Sequence, residues 1–355
     1  MTDEYFLEPE NIKIGRKYLK KNLNKKYIKL SEGLYFSHID IFKKDKNNSL
    51  TNVANLDMQF FEKKVSSFKN FKNIKERIKK IYSKSLFPKE LFFKNPLIMG
   101  VLNLTKDSFY DGGKYFEEKS ALSKAYALIE EGADIIDIGA ESTRPGAHAI
   151  KSEEEIKRIL PIASKLSKEN IILSCDTRNS ETMRAALDVG VKIINDVSGL
   201  NYDSNTLNIL KSYECFYVLT HSQGKPSIMQ NNPQYKNSVC DIYDFFNERL
   251  KFLSSQGFPL SKIIIDPGIG FGKNDIHNFN ILKHLGIFLD IGLPILIGLS
   301  RKSLIGRFIN DTPKNSLSCS LVLAVDAYMK GVNLIRVHDV KETINAINII
   351  KHANY

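Results

Sequence analysis

Cationic side chains follow several short apolar stretches of this chain, at positions where they could bind phosphate. The members of this set are Arg144, Lys302, Arg336 and His338. Such groups bind phosphate oxygens, and arginine can do so through two parallel hydrogen bonds. A ligand that carries phosphate is therefore the first expectation.

Acidic and amide side chains occupy similar positions after other apolar stretches. These are Asp176, Asn195 and Asp266. Their oxygens can accept hydrogen bonds from the amino and ring N–H groups of a flat heterocycle. Glycine-rich segments at 112–113 and 268–272 let the backbone approach a ligand closely or let a lid move. Together with the cations, these residues predict a phosphorylated, nitrogen-rich ring compound as the ligand.

Residues 133–146 show how these side chains are presented. The segment reads ADIIDIGAESTRPG, and its β-branched first half is typical of a strand buried on both faces. The second half is a polar loop with a hydroxyl, a guanidinium and a stiff turn. A buried strand that ends in a charged loop is how α/β enzymes build their sites.

The same unit recurs along the chain. Strands are predicted at 97–103, 134–139, 171–176, 192–195, 216–221, 263–266, 295–299 and 333–337. Helices are predicted at 120–131, 152–168, 181–189, 241–256, 317–330 and 341–351, and four of them close on a glycine, as left-handed C-caps do. This count predicts a (β/α)8 barrel, whereas a doubly wound sheet would have fewer strands and a GxGxxG motif after the first.

Nearly every predicted strand ends in a polar residue or a special loop. The carboxyl ends of barrel strands meet at one rim, where barrel enzymes assemble their active sites. One site therefore explains the eight endings better than coincidence does.

The basic charge of the chain is confined to its first quarter. Of the formal net charge of +11, residues 1–90 contribute 21 Lys+Arg against 11 Asp+Glu, and the other 265 residues contain 30 against 29. Charge therefore does not support a nucleic-acid function for the whole chain. We predict two domains, a basic N-terminal extension at 1–90 and a catalytic barrel at 91–355.

The extension is expected to be of mixed or mainly helical structure. Residues 27–42 are partly strand-like, and apolar residues step by three or four along 57–83, which predicts a long amphipathic helix with a lysine-rich outer face. A basic platform for nucleic acid or membrane is one interpretation. A solvated face on a structural or oligomer-related subdomain is the favoured one.

The composition favours a cytoplasmic setting. No apolar run approaches the ~18 residues that a membrane span needs. The first ten residues lack the basic and apolar regions of a signal peptide. The four cysteines are widely spaced without a CxxC pair, which argues against a zinc site or a disulfide framework.

The motifs MGVLNLTKDSFYDGG, DIGAESTRPGA, SCDTR, INDVSGL, DPGIGFGK, GLSRKS and RVHDV, in this order over about 97–350, resemble those of the dihydropteroate synthase family. The resemblance implies a transferase of folate biosynthesis that condenses 4-aminobenzoate with 6-hydroxymethyl-7,8-dihydropterin diphosphate and releases pyrophosphate. The family uses Mg²⁺ and is the target of sulfonamides. We also expect a homodimer.

The resemblance further assigns roles to single residues. Asn103 would ligate Mg²⁺ on the diphosphate. Asp176, Asn195, Asp266 and Lys302 would hold the pterin, Arg336 would stack on it or reach the phosphates, and Arg144 and His338 would bind the diphosphate. Thr143, Pro145, Ser303 and Phe271 would border the aminobenzoate. The residues expected to act in catalysis are Asp176, Lys302, Arg336 and Arg144.

Some positions depart from the family pattern, and two alternatives stay open. Lys106 and Tyr110 stand where the family usually has Pro and Ser, while Thr220 and Ser222 replace the methionines of Met-His-Met-Gln-Gly. A more polar floor under the pterin is expected. The alternatives are a methyltetrahydrofolate:corrinoid methyltransferase-like barrel and a non-catalytic paralogue that binds a pterin or a protein partner.

Overall fold

A computed structural model describes most of the chain. The described residues are 5–15, 26–68, 70–83, 86–88, 90–91, 94, 96–104, 113–141, 150–224, 229–230, 232–310 and 316–353, with the backbone alone for 113–117.

The described residues of the first part of the chain form two small antiparallel sheets and two helices. The strands are β1 (Tyr5–Glu10), β2 (Lys13–Ile14), β3 (Ile28–Ser31), β4 (Leu34–Phe36), β5 (His38–Lys44) and β6 (Leu50–Asp57). One sheet has the order β1-β5-β6 and the other the order β2-β4-β3. The helices are α1 (Phe61–Val65) and α2 (Phe71–Ser83). The extension is thus mixed, with more strand than the periodicity alone indicated.

The single helix predicted over 57–83 is wrong. The chain leaves helical geometry between α1 and α2, and Asn70 adopts a left-handed conformation with φ of 68°. Asparagine tolerates this conformation better than most residues, so it can interrupt a helix between two apolar turns. The apolar periodicity continues across the break because Val65 in α1 and Ile74 in α2 are both buried in the same core.

The second part is a closed barrel of eight parallel strands. They are β7 (Leu97–Asn103), β8 (Ile135–Gly139), β9 (Ile172–Asp176), β10 (Ile193–Asp196), β11 (Phe216–Thr220), β12 (Ile263–Asp266), β13 (Leu296–Gly298) and β14 (Leu334–Val337). The strand order is β12-β11-β10-β9-β8-β7-β14-β13, and a parallel bridge between Ile265 and Ile295 closes the ring. The predicted (β/α)8 barrel is therefore confirmed.

Burial on both faces explains why these strands are continuous apolar runs. Side chains on the inner face of the strands form a small cluster inside the barrel, which includes Met99, Ile135 and Val218. Side chains on the outer face, such as Ile98 and Ile136, pack under the helices. A parallel sheet covered in this way has no solvent-facing side that would call for alternating polar residues.

Helices separate the strands, as predicted. They are α3 (Gly113–Glu130), α4 (Ser152–Leu166), α5 (Ser180–Asp188), α6 (Thr206–Ser212), α7 (Ser238–Ser255), α8 (Asp275–Lys283), α9 (Ser303–Ile309), α10 (Leu317–Met329) and α11 (Val340–Ala353). Helices α6, α8 and α9, of seven to nine residues, were not among the predicted helices. Among the described residues, no helix is long and apolar enough to cross a membrane.

The extension packs onto one side of the barrel through buried polar contacts. The carboxylate of Asp290, which lies in a 3-10 helix (Leu285–Ile291), accepts hydrogen bonds from Arg77 Nε at 3.0 Å and from the Leu7 N–H at 3.2 Å. The Glu8 carboxylate accepts one from the Gly286 N–H at 3.1 Å. Apolar residues of both parts share one core. The domain boundary at residue 90 remains a prediction.

Candidate active site

A pocket lies at the carboxyl ends of the barrel strands. Its lining includes Asp176, Asn195, Asp266, Phe271, Lys302 and Arg336, together with Val197, Thr220, Ile269 and Gly298. Six of the predicted site residues therefore face a single cavity, although they come from five different strand ends. The expectation of one site at the rim agrees with this geometry.

Arg336 is the centre of a buried ion-pair network in this pocket. Its Nε donates to Asp137 Oδ2 at 2.6 Å, and its Nη2 donates to Asp176 Oδ2 at 2.7 Å. Asn195 Nδ2 donates to the same Asp137 oxygen at 3.1 Å. These bonds fix the guanidinium plane and the amide of Asn195 before a ligand arrives.

Asp137 is a site residue that the sequence reasoning missed. It is fully buried on β8, and its Oδ1 has no hydrogen-bond partner among the residues that the structure describes. A buried, unpaired carboxylate oxygen is costly, so it points to a positioning role toward Arg336. The available signal was the single aspartate inside the apolar run IIDIG.

Burial dominates the electrostatics of Asp176. Removal from water, with repulsion from Asp137, raises the pKa of this carboxyl from 3.8 to about 7, even though the Arg336 guanidinium lowers it. The paired carboxylate beside Arg336 can stabilise positive charge that develops on a ring bound next to it.

Lys302 and Phe271 form the opposite wall of the pocket. The Lys302 ammonium lies 4.2 Å from the centroid of the Phe271 ring, a cation–π contact. Burial, with repulsion from Arg336, lowers the pKa of Lys302 to about 8. The lysine is therefore charged at neutral pH but can lose its proton in mildly alkaline solution.

Asp266 is positioned by the loop that follows β12. Its Oδ1 accepts a hydrogen bond from the Gly268 N–H at 2.7 Å, which orients the carboxylate at the pocket wall. Burial raises the pKa of Asp266, while this backbone bond and the charges of Lys302 and Lys273 lower it.

His338 lies beyond β14 and outside the lining of this pocket. Burial, together with the charges of Arg336 and Arg301, lowers its pKa to about 3. Its Nδ1 lies 3.2 Å from Ser300 Oγ. The imidazole is thus neutral near pH 7. It can donate an N–H to a phosphate oxygen, but without a ligand it does not carry the charge that we expected.

Asn103 and Ser303 also lie at this rim without lining the pocket. Asn103 is the half-buried last residue of β7, and among the described residues its side-chain amide has no hydrogen-bond partner. Ser303 is exposed at the first position of α9. No group of three or more His, Cys, Asp or Glu among the described residues could hold a metal. Mg²⁺ at Asn103 would therefore need oxygens from the substrate and water, a donor set that this cation favours.

Thr143, Arg144 and Pro145 lie outside the described residues, as do Lys106 and Tyr110. Their predicted roles stay predictions. Glu141, just before them, is buried and bonded to Arg178 through two hydrogen bonds of 2.9 and 2.7 Å. This pair joins the ends of the second and third strands of the barrel.

Thr220 forms part of the pocket lining, as its position in the family motif predicts. Ser222 instead borders a neighbouring cavity with Arg178, Tyr202 and Met229. A larger groove lies between α2 and α7, and none of the predicted site residues that the structure describes lines it.

The fold and the pocket define a class of protein, a (β/α)8 barrel that gathers carboxylates, an amide and cations at the carboxyl ends of its strands. A sequence model of the family described as "Pterin binding enzyme" matches residues 99–338.

Comparisons with individual proteins narrow the class. The dihydropteroate synthase of Escherichia coli K12 is 40% identical over 262 residues, covering 74% of this chain and 93% of the relative. That of Haemophilus influenzae is 38% identical over 255 residues, covering 72% and 92%. The chain belongs to the dihydropteroate synthase family, which makes it a transferase. The predicted family and activity are confirmed.

Solved structures agree with this assignment. The Yersinia pestis dihydropteroate synthase in a sulfonamide drug complex has a TM-score of 0.69 and 38% identity, covering 73% of this chain and 94% of that chain. The Xanthomonas albilineans enzyme in complex with 7,8-dihydropteroate has a TM-score of 0.65 and 31% identity, covering 73% and 93%. The comparisons favour the synthase over the corrinoid methyltransferase.

Proposed function

We propose that this chain condenses 4-aminobenzoate with 6-hydroxymethyl-7,8-dihydropterin diphosphate, with the rim pocket as the pterin site. The observation that carries the proposal is the pocket itself, in which Asp176, Asn195 and Asp266 offer acceptors to ring N–H groups while Lys302 and Arg336 supply positive charge. This arrangement matches a ring rich in donors that carries an anionic tail.

Each pterin contact has a structural basis. The Gly268 N–H donates a hydrogen bond to Asp266 Oδ1, which leaves Oδ2 to bind the amino-pyrimidinone edge of the pterin. The Asn195 amide donates to Asp137, so its carbonyl oxygen is free to accept from the ring. Lys302 lies over Phe271 and would contact the pterin from that wall.

The reaction needs no nucleophilic side chain. The bond between the pterin methylene carbon and the diphosphate oxygen breaks, the arylamine nitrogen bonds to that carbon, and the amine releases a proton. Asp176 would stabilise the positive charge that develops on the pterin methylene, and Arg336 would stabilise the departing diphosphate. Catalysis is then positioning and electrostatic stabilisation.

We propose that Asn103 holds Mg²⁺ on the diphosphate. A bound Mg²⁺ would neutralise charge on the leaving group as it departs. The residues at the second-substrate side would be Thr143, Arg144, Pro145, Ser303 and Phe271. A sulfonamide would occupy this aminobenzoate side.

We also propose a homodimer in a reducing, cytoplasmic setting. Support for association comes from exposed apolar side chains on α8 and α9, where Ile276 is 78% and Phe308 is 76% exposed and the Phe279 and Phe308 rings lie 5.7 Å apart. All four cysteines are unpaired, which fits a reducing compartment. The extension would serve as a structural addition to the barrel.

Calorimetric titration with the dihydropterin diphosphate, without arylamine, tests the pterin site. The wild-type chain should bind it, and Asp266→Asn should weaken binding at least tenfold, because an amide places a donor against the ring donors. Lys262→Met, which breaks an exposed contact to Glu90 at 3.2 Å just before the start of β12, serves as the control. Equal binding by wild type and Asp266→Asn would contradict the assignment.

A further inference from the structure

Lys273, directly after the glycine-rich segment at 268–272, is a fully buried lysine with no role in the chemistry above. It is 1% exposed. Its Nζ donates to the backbone carbonyls of Gly268 at 2.8 Å, Phe271 at 3.0 Å and His221 at 3.1 Å, and lies 3.0 Å from His221 Nδ1. Four acceptors thus surround three N–H donors.

The partners of Lys273 belong to two loops that meet behind the pocket. Gly268 and Phe271 are in the loop after β12, and His221 begins the loop after β11. A Cβ atom at Gly268 would lie 2.0 Å from the His221 carbonyl oxygen, and one at Gly272 would lie 2.2 Å from that of Gln223. The loops therefore approach each other more closely than any side chain permits, and the lysine amine lies where they meet.

The protonation state of His221 suits this arrangement. Burial, with the charge of Lys273, lowers the pKa of His221 well below its ordinary value. The neutral ring can then accept a hydrogen bond at Nδ1. A buried ammonium is costly, and burial lowers the pKa of Lys273 to about 7 although the Asp266 carboxylate raises it. Each N–H donor of the amine nevertheless has an acceptor.

The loop that Lys273 holds carries two pocket contacts. The Gly268 N–H orients Asp266 at 2.7 Å, and Phe271 places its ring against Lys302 at 4.2 Å. Two further bonds hold the same backbone, from Tyr235 Oη to the Gly272 carbonyl at 2.9 Å and from Gln230 Nε2 to the Gly270 carbonyl at 2.5 Å.

We propose that Lys273 is a positioning residue for the pterin pocket, whose amine joins the loops after β11 and β12 so that Asp266 and Phe271 face the ligand. The inference rests on the proposed pterin site. It goes beyond that site because Lys273 does not line the pocket.

Titration of the full chain with the dihydropterin diphosphate tests this role. Lys273→Met keeps an unbranched apolar stem but removes every bond of the amine. We expect the dissociation constant to rise at least tenfold, at a temperature where circular dichroism shows the variant folded. Lys330→Met is the matched control, because Lys330 does not line the pocket. The substitution removes an amine that donates a 2.7 Å hydrogen bond to the Leu282 carbonyl. It should change binding less than twofold.

A second variant keeps the test decisive if Lys273→Met does not fold. Tyr235→Phe removes only the hydroxyl bonded to Gly272 and should weaken binding twofold to fivefold. Unchanged binding by folded Lys273→Met, or by Tyr235→Phe where the first variant is unfolded, would overturn the positioning role. If the wild-type chain itself does not bind the diphosphate, the proposed function fails instead.

Discussion

Arg336 determines how the charged residues of the pocket work together. It shares hydrogen bonds with Asp137 and Asp176 at 2.6 and 2.7 Å, so neither carboxylate is left alone in a buried site. Asp137 is anchored inside the barrel wall, whereas Asp176 faces the cavity. The two carboxylates therefore have different roles: Asp137 positions Arg336, whereas Asp176 can act on the ligand.

Replacement of Asp176 by asparagine tests the second role. The neutral amide keeps the size of the side chain but cannot offset positive charge on the pterin. We expect Asp176→Asn to lower kcat by about 10²- to 10³-fold, the range seen when one preorganised stabilising group is lost. End-point assays of dihydropteroate formation should measure turnover, and circular dichroism should check that the variant is folded. Near-normal turnover in the folded variant would refute the role.

The pH dependence of the reaction should report Lys302. Burial lowers its pKa to about 8, and a lysine is charged below its pKa, so the positive charge is lost as pH rises through about 8. We expect kcat/KM to fall above that pH, because this parameter reports ionisations of the free enzyme. Lys302→Arg, which stays charged at these pH values, should be less active and should lose the alkaline decline. A decline that persists unchanged in Lys302→Arg would assign it to another group.

Residues that line the pocket were easier to predict from the sequence than the buried residues that hold them in position. Asp176, Asn195, Asp266 and Arg336 were predicted because each lies at the end of a strand or one residue before it, and barrel topology brings strand ends together. Asp137 and Lys273 are equally buried in polar networks. Their partners are distant in sequence or are backbone carbonyls, which no pattern of side chains displays.

At the scale of elements, the end of β11 supplies the floor of the pocket. Thr220 is its last residue and lines the cavity, while Ser222, two residues on, borders a different one. Both positions depart from the methionines of the family motif, but only Thr220 is placed to touch a pterin ring.

Thr220→Val should therefore tighten pterin binding. The substitution replaces a hydroxyl by a methyl of similar size. Because Thr220 is only 2% exposed, the ring desolvates little of the hydroxyl, and the saving should stay below about 1 kcal/mol, or a factor of about five. The KM for the dihydropterin diphosphate is the measurement. Ser222→Ala should leave that KM unchanged. Weaker binding by Thr220→Val would show instead that the hydroxyl bonds the substrate.

Barrel strands were predicted to within one or two residues, whereas the extension was not. Doubly buried parallel strands such as β8 are short apolar runs bounded by loops, and this signal is local. Strand β1 has the sequence YFLEPE, with four consecutive buried residues that include Glu8. Its conformation follows from pairing with β5 and from contacts with the distant Gly286, which periodicity cannot show.

At the scale of the whole molecule, the extension and the barrel share buried charges. Asp290 is 1% exposed and accepts bonds from Arg77 in α2, Tyr243 in α7 and the backbone of Leu7 in β1. One carboxylate thus connects three elements from both parts of the chain.

Asp290→Ala should strongly destabilise the protein. It leaves the Arg77 guanidinium buried without its carboxylate, and breaking such a pair costs about 3–5 kcal/mol. Lys44→Met, which breaks the more exposed contact to Asp244 at 3.3 Å, should cost less than about 1 kcal/mol. Urea unfolding of both variants measures the difference. Equal losses would mean that the buried pair does not hold the extension to the barrel.

Pyrophosphate release with each substrate alone and with both together tests the central claim most directly. The pocket is proposed to hold the dihydropterin diphosphate while a second site admits 4-aminobenzoate, so release should require both compounds, and dihydropteroate should form in equal amount. Release without the arylamine would make the reaction a hydrolysis, and binding without any release would identify a non-catalytic paralogue. Either result would contradict the account.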